Sequence, residues 1–194
     1  MKVAITGHKH GLGQAIYNKL AYYNKGAGHK VVGFDIEDGY DISVKLKMGK
    51  MLFISRDCDV FINNAYHPTA QTEILKFLLK MWKGEKKTII NIGTFYIEHK
   101  DTSWITDVSH QEYLDQKTLQ KEIVDKVVDD HLKVIQINPG LMKTEFLNKM
   151  DPNSSADNLL NVVDCADAII SALDLLKKNI YIPEIDLLDK RWYN

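Results

Sequence analysis

One eight-residue stretch constrains the fold of this chain more than any other. Thr6-Gly7-His8-Lys9-His10-Gly11-Leu12-Gly13 follows the short apolar run Lys2 to Thr6. It opens a segment whose apolar residues Leu12, Ile16, Leu20 and Tyr23 recur at helical spacing. A strand, a glycine-rich turn and a helix in direct succession leave little freedom. One glycine makes the tight turn, a second lets the backbone approach a ligand, and a third lets helix and strand pack closely. The helix start adds free N–H groups and about half a unit of positive charge. The turn is therefore expected to bind an anion of the pyrophosphate type.

Further along, the apolar pattern keeps switching between short continuous runs and helical stripes. Runs at Val31–Phe34, Val60–Ile62, Thr88–Ile92, Val134–Ile137 and Ile180–Ile182 read as strands. Helical stripes pass through Val44–Leu52, Ile74–Trp82, His110–His131 and Asp164–Leu176. Such alternation implies right-handed βαβ crossovers and a parallel sheet covered on both faces. The expected fold is a doubly wound, Rossmann-type α/β domain, and 194 residues fit a single domain spanning 1–194.

Composition removes several classes of function. With 25 Lys+Arg against 26 Asp+Glu the net charge is −1, so no nucleic-acid or anionic-membrane partner is expected. No apolar run reaches the 18 or more residues of a membrane span, and no signal-peptide core is visible at the N-terminus. Cys58 and Cys165 fit neither a disulfide framework nor a zinc pattern. A reducing, cytoplasmic setting is expected. His8 and His10 alternate, but a metal needs further converging ligands, and none is expected.

Ligands of doubly wound sheets sit at the carboxyl ends of the strands. Asp35 ends the second strand, 22 residues after Gly13. A carboxylate there accepts hydrogen bonds from an adenosine ribose and repels a 2′-phosphate, which favours NAD. Lys9 and His10 beside the turn soften that preference, so NADP stays open.

With these residues in place the chain resembles the short-chain dehydrogenase/reductase family. Residues 6–13 match its Thr-Gly-x-x-x-Gly-x-Gly pattern. Asp41-Ile42-Ser43 is similar to its adenine-contacting segment, and Asn63-Asn64-Ala65 to its Asn-Asn-Ala-Gly element. Ile89 to Thr94 resembles the strand that delivers a catalytic hydroxyl. Tyr113-Leu114-Asp115-Gln116-Lys117 matches Tyr-x-x-x-Lys. Asn138-Pro139-Gly140 and Thr144 match the Pro-Gly-x-x-x-Thr beside the nicotinamide. A second pair, Tyr96 and Lys100, begins too soon after Thr94 for a helix to return its tyrosine to that hydroxyl. The resemblance implies a nicotinamide cofactor held by Gly7, His10, Gly11, Leu12, Gly13, Asp35, Asp41, Ile42, Asn64, Ala65, Lys117, Pro139, Gly140 and Thr144. It also implies a homodimer or homotetramer packed through long helices such as His110–His131.

The chemistry implied is hydride transfer between the cofactor and a small carbonyl or alcohol. Tyr113 is the expected acid/base. A free phenol has a pKa near 10, and the Lys117 ammonium is expected to lower it. Thr94 stands where the family carries serine, and its hydroxyl has the same hydrogen-bonding capacity. Ser103 and Ser109 are alternatives for that role.

Three features depart from the family pattern. Tyr66 replaces the glycine after Asn64-Ala65. The asparagine many relatives place between residues 64 and 88 has no clear counterpart, although Gln71 and His67 are near. Only six residues separate Asp35 from Asp41. Two other functions stay open: a dinucleotide-binding sensor with little catalysis, and a nucleotide-sugar reductase or epimerase. The substrate pocket is expected to be roofed by 141–161 and by the segment after Thr94.

Overall fold

The computed structural model describes residues 1–23, 29–98, 108–145, 147 and 159–188. Ser103, Lys100 and much of the expected pocket roof lie outside the described residues. Six strands form one parallel sheet: β1 (Lys2–Thr6), β2 (Lys30–Phe34), β3 (Val60–Asn63), β4 (Thr88–Ile92), β5 (Lys133–Pro139) and β6 (Glu184–Leu187). Their order is β2-β1-β3-β4-β5-β6. The strand order reverses between β1 and β3, which places the ligand crevice there.

Among the described residues the α-helices that flank the sheet are α1 (Gly11–Asn18), α2 (Lys45–Ser55), α3 (Ala70–Met81), α4 (Val108–Asp125) and α5 (Val162–Lys177). One apolar layer joins alternate strand residues Val3, Ile5, Ile62, Ile90 and Ile135 to Leu12 and Ile16 of α1 and Ile169 and Leu173 of α5. The opposite layer joins Ala4, Phe61, Ile89 and Val134 to Met51 of α2 and to Ile74 and Leu78 of α3, with Ile123 of α4 packed against it. Strands buried on both sides in this way read as unbroken apolar runs. No described helix is long and apolar enough to cross a membrane.

Three expectations need correction. The last strand is Glu184–Leu187, not Ile180–Ile182. Tyr181 instead anchors the approach to it, donating its hydroxyl to the Val134 carbonyl at 2.6 Å. The long helix ends at Asp125, before His131. There the Asp129 carboxylate collects the N–H groups of Gly84, His131 and Leu132 and turns the chain into β5. Those three donors hold the Asp129 carboxyl at about 2. The buried face of α4 also differs, because Leu119 is 36% exposed while His110, Leu114, Lys117 and Gln120 are buried.

Candidate active site

The glycine turn lies where the first strand meets α1. Gly7 and Gly11 have φ of 69° and 49°, a region that disfavours side chains. Gly13 carries the tighter constraint: a Cβ there would lie 2.0 Å from the Gly7 carbonyl oxygen. A Cβ on Gly11 would meet the Thr144 methyl at 3.3 Å, so Thr144 closes the far side of the turn. His10 precedes α1 in extended conformation and makes no side-chain cap, which leaves the helix-start N–H groups without a side-chain acceptor from that position.

The ends of β1 and β3 are tied together through Thr6. Its Oγ1 accepts from the backbone N–H groups of Asn64 at 3.0 Å and Ala65 at 2.9 Å. Asn64 Nδ2 donates back to the Thr6 carbonyl at 3.0 Å. These bonds hold Asn64 and Ala65 against the glycine turn.

At the end of β2 the buried Asp35 accepts backbone N–H groups from Glu37 at 3.2 Å and Lys9 at 3.3 Å. The neighbouring cations are matched by other acids: Lys9 Nζ lies 2.5 Å from Asp38, and His10 Nε2 lies 2.7 Å from Glu37. The Glu37 contact raises the His10 pKa. Asp41 accepts from both the N–H and the hydroxyl of Ser43, which hold its carboxyl below the usual range.

The glycine turn and the ends of β2 and β3 open onto one cavity of about 1300 Å³. Its walls include Gly7, His10, Gly11, Leu12, Asp35, Asp41, Ile42, Asn64 and Ala65 at one end. Thr94, Tyr113, Lys117, Pro139, Gly140 and Thr144 stand at the other. Of the expected cofactor residues only Gly13 is not in the wall; it lies behind it, against Gly7. Ser109 is exposed at the start of α4 and does not line the cavity.

Tyr113 and Lys117 share a face of α4 one turn apart. The Thr94 hydroxyl, two residues past β4, shares a hydrogen bond with the Tyr113 phenol, which pulls its pKa downward. Burial outweighs that bond and pushes the phenol up to about 12. Lys117 does not offset it. Its Nζ donates to Gln71 Oε1 and to the Ile92 carbonyl, each at 2.7 Å, and lies 5.5 Å from the centre of the Tyr113 ring. Burial lowers Lys117 itself to about 7. The Lys117 hydrogen bonds thus go to Gln71 and the Ile92 carbonyl, and burial is the largest influence on the Tyr113 phenol.

Tyr66 packs edge-on against Tyr113 with ring centres 4.9 Å apart, and Lys117 Nζ lies 5.6 Å from the Tyr66 centroid. Gln71 is fully buried at Lys117. Sequence reasoning left Gln71 without a role. The signal was available as a set of polar residues interrupting apolar strands at Asn63, Asn91, Gln136 and Asn138. Among the described residues no three His, Cys, Asp or Glu side chains converge as a metal site.

No protein-family model and no curated protein matches the sequence. Solved structures do match over nearly the whole chain. An alcohol dehydrogenase from the archaeon Thermococcus sibiricus, complexed with 5-hydroxy-NADP, superposes with a TM-score of 0.74 at 17% identity, covering 98% of this chain and 97% of its own. A 3-ketoacyl-(acyl-carrier-protein) reductase from Brucella melitensis, complexed with NADH, gives 0.70 at 16% identity with 95% of each chain covered. A short-chain dehydrogenase/reductase from Vibrio parahaemolyticus gives 0.69 at 17% identity, covering 95% of this chain and 98% of that one. The fold is that of the short-chain dehydrogenases/reductases. Within that fold, the cavity found here lies at the strand ends, along the switch between β1 and β3.

Proposed function

We propose that this protein is an NAD(P)-dependent oxidoreductase that moves a hydride between a nicotinamide cofactor and a small carbonyl or alcohol. The observation that carries the reading is the shared hydrogen bond of Thr94 and Tyr113 at one end of a cavity whose other end is the glycine turn. The neighbouring structures, several complexed with NADH or NADP, support the cofactor class.

The residues present fit such a cofactor. Gly7 and Gly13 let the β1–α1 turn pack tightly against Asn64 and Ala65, and the turn at Gly7 and Gly11 opens on the cavity at the N-terminus of α1, which fits a pyrophosphate. In this reading Asp35 would take the adenosine ribose, Asp41 and Ile42 the adenine, and Pro139, Gly140 and Thr144 the nicotinamide end; all line the one cavity. Asp38 and Glu37 already neutralise Lys9 and His10, so NAD is favoured over NADP.

The bound nicotinamide supplies or accepts the hydride. Tyr113 gives a proton from its phenol to the oxygen of the carbonyl being reduced, and takes it back in the reverse direction. Thr94 orients that oxygen through its hydroxyl. Lys117 lies beneath the Tyr113 ring and stabilises the phenolate that protonation of the product leaves behind. A positioned acid/base of this kind contributes roughly 10²–10⁴ in rate.

The test is titration with NADH and NADPH, followed by a screen of carbonyls and alcohols. Tyr113→Phe is expected to lower turnover by about 10²–10⁴-fold and leave NADH affinity unchanged. Failure to bind either cofactor, or turnover indifferent to Tyr113→Phe, overturns the reading. One observation favours a second reading, a dinucleotide-binding sensor: Tyr113 is pushed up, not down. Tight cofactor binding without turnover on a broad panel would select it.

A further inference from the structure

Lys117 is a cation in an unusual position. It is 2% exposed, and both hydrogen-bond acceptors within its reach are neutral oxygens. Among the described residues no carboxylate acts on it; burial is the cause of its lowered pKa. A buried ammonium is costly unless it is paired or well hydrogen-bonded. The side-chain acceptor that holds it is therefore the residue to explain.

That acceptor is Gln71 Oε1, and its direction is not arbitrary. Gln71 Nε2 donates to the Asn63 carbonyl at 2.9 Å and the Ile92 carbonyl at 3.1 Å. Carbonyls only accept and an ammonium only donates. The reversed amide would set NH₂ against Nζ and oxygen against two carbonyls. The Gln71 oxygen must face Lys117.

Gln71 stands at one end of a buried row of carboxamides. Gln120 Nε2 reaches Gln71 Oε1 at 3.4 Å, and Asn91 Nδ2 donates to Gln120 Oε1 at 3.2 Å. Asn63 Nδ2 donates to Asn91 Oδ1 at 2.9 Å and to the Gln71 carbonyl at 3.0 Å. The row continues from Asn91 Nδ2 to Gln136 Oε1 at 3.0 Å, and from Gln136 Nε2 to Asn138 Oδ1 at 2.8 Å. It ends where Asn138 Nδ2 donates to Glu184 at 2.6 Å and Asp186 at 3.0 Å. Asn63, Asn91, Gln136 and Glu184 are direct register partners across β3, β4, β5 and β6. Gly93 makes room for the row, since a Cβ there would lie 2.0 Å from Gln136 Nε2. The ammonium at one end and the carboxylates at the other fix the sense of the amides between them.

We propose that Gln71, held at the end of this ladder, is a positioning residue that keeps Lys117 beneath Tyr113 through a direct, uncharged hydrogen bond. Its catalytic consequence rests on the acid/base reading of Tyr113 given above. A carboxylate in the same place would fix Lys117 as a permanent cation. A neutral acceptor holds the nitrogen in place and leaves its proton free to come and go. The titratable groups facing Nζ are the phenols of Tyr113 on α4 and Tyr66 after β3, with His110 on the same cavity wall. Glu112 acts on Tyr66.

The test is an NMR titration of the Lys117 side chain in the whole protein, which needs no substrate. It compares wild type with Gln71→Glu and Gln71→Met, variants of similar length. Gln71→Glu is expected to move the Lys117 midpoint upward by about 1–3 pH units. Gln71→Met, which removes the acceptor, is expected to move it downward. With an active enzyme, the pH–rate profile shifts in the same sense. If both variants lose stability and the midpoint stays where it is, Gln71 is only structural and the proposal fails. If Gln71→Glu does not fold, an unmoved midpoint in Gln71→Met alone overturns it. Absence of turnover in wild type would strike the acid/base reading and leave this titration intact.

Discussion

A methyl group added at Gly13 would lie 2.0 Å from the Gly7 carbonyl oxygen and 2.6 Å from Asn64 Nδ2. Neither contact yields cheaply, because the first atom is backbone and the second is tied to Thr6. Gly13→Ala is therefore expected to displace α1 from the turn, lower stability by about 1–3 kcal/mol and abolish NADH binding. Chemical denaturation and a cofactor titration measure both. Lys117 supports a second expectation at this scale. Its folded pKa is about 7 against an ordinary lysine value of 10.5. The unfolded chain thus binds more protons between those values, so this residue's penalty is full below pH 7 and is relieved as pH rises toward 10. The stability of wild type relative to Lys117→Met should climb over that window. A flat difference would contradict the burial of a cation there. Both residues were legible in sequence as motif members. Their energetics were not, because a Tyr-x-x-x-Lys spacing carries no information on whether the lysine meets a phenol, an amide or a carbonyl.

At the scale of elements, the strands β1 and β4 were readable to the residue because unbroken apolar runs admit few alternatives once glycine or polar turns bound them. The exceptions have a common cause. β6 carries Glu184 and Asp186 alternating with Ile185 and Leu187, a pattern weaker than the apolar Ile180-Tyr181-Ile182 just before it. Its acids are exposed, yet both accept from Asn138 and so also serve as partners of the sheet. The α4 face was misread for the same reason: its buried stripe is built from His110, Lys117 and Gln120, which no hydrophobic periodicity marks. On the α3/α4 side of the sheet, Phe61, Ile89 and Val134 give way two residues later to Asn63, Asn91 and Gln136. Apolar packing ends and the polar ladder begins along that line. The ends of the helices carry a simpler expectation. Asn161 caps α5 by accepting the Val163 N–H at 2.8 Å. Asn161→Ala should cost about 1 kcal/mol, read as a lowered denaturation midpoint with an unchanged m-value. The start of α1 lacks such a cap, in keeping with an anion-binding end.

For the whole molecule, the short span between Asp35 and Asp41 takes on structural meaning. Doubly wound dinucleotide sheets of the 3-2-1-4-5-6 type carry a strand outside the second one. Here β2 is itself the edge, and the chain passes from Asp35 through a single turn at Ile36–Asp38 directly to Asp41. The acidic residues at this end of the cavity are therefore brought close together without an intervening strand. The cavity they share is assembled from six separate chain regions: the β1–α1 turn, the end of β2, the end of β3, the end of β4, α4 and the segment after β5. A ligand spanning them couples those regions, and it should stabilise the fold as one unit. At a concentration 100 times its Kd, a ligand that binds only the folded state adds about 2.7 kcal/mol. In a chain of this size that raises Tm by roughly 5–10 °C. NADH is expected to give a shift of that order, and NADPH a smaller one, because its 2′-phosphate meets Asp35 while Lys9 and His10 are already matched by Asp38 and Glu37. Asp35→Ala should narrow the difference. An equal shift for both cofactors in wild type, or no shift with either, would break the link drawn between this acidic edge and cofactor choice.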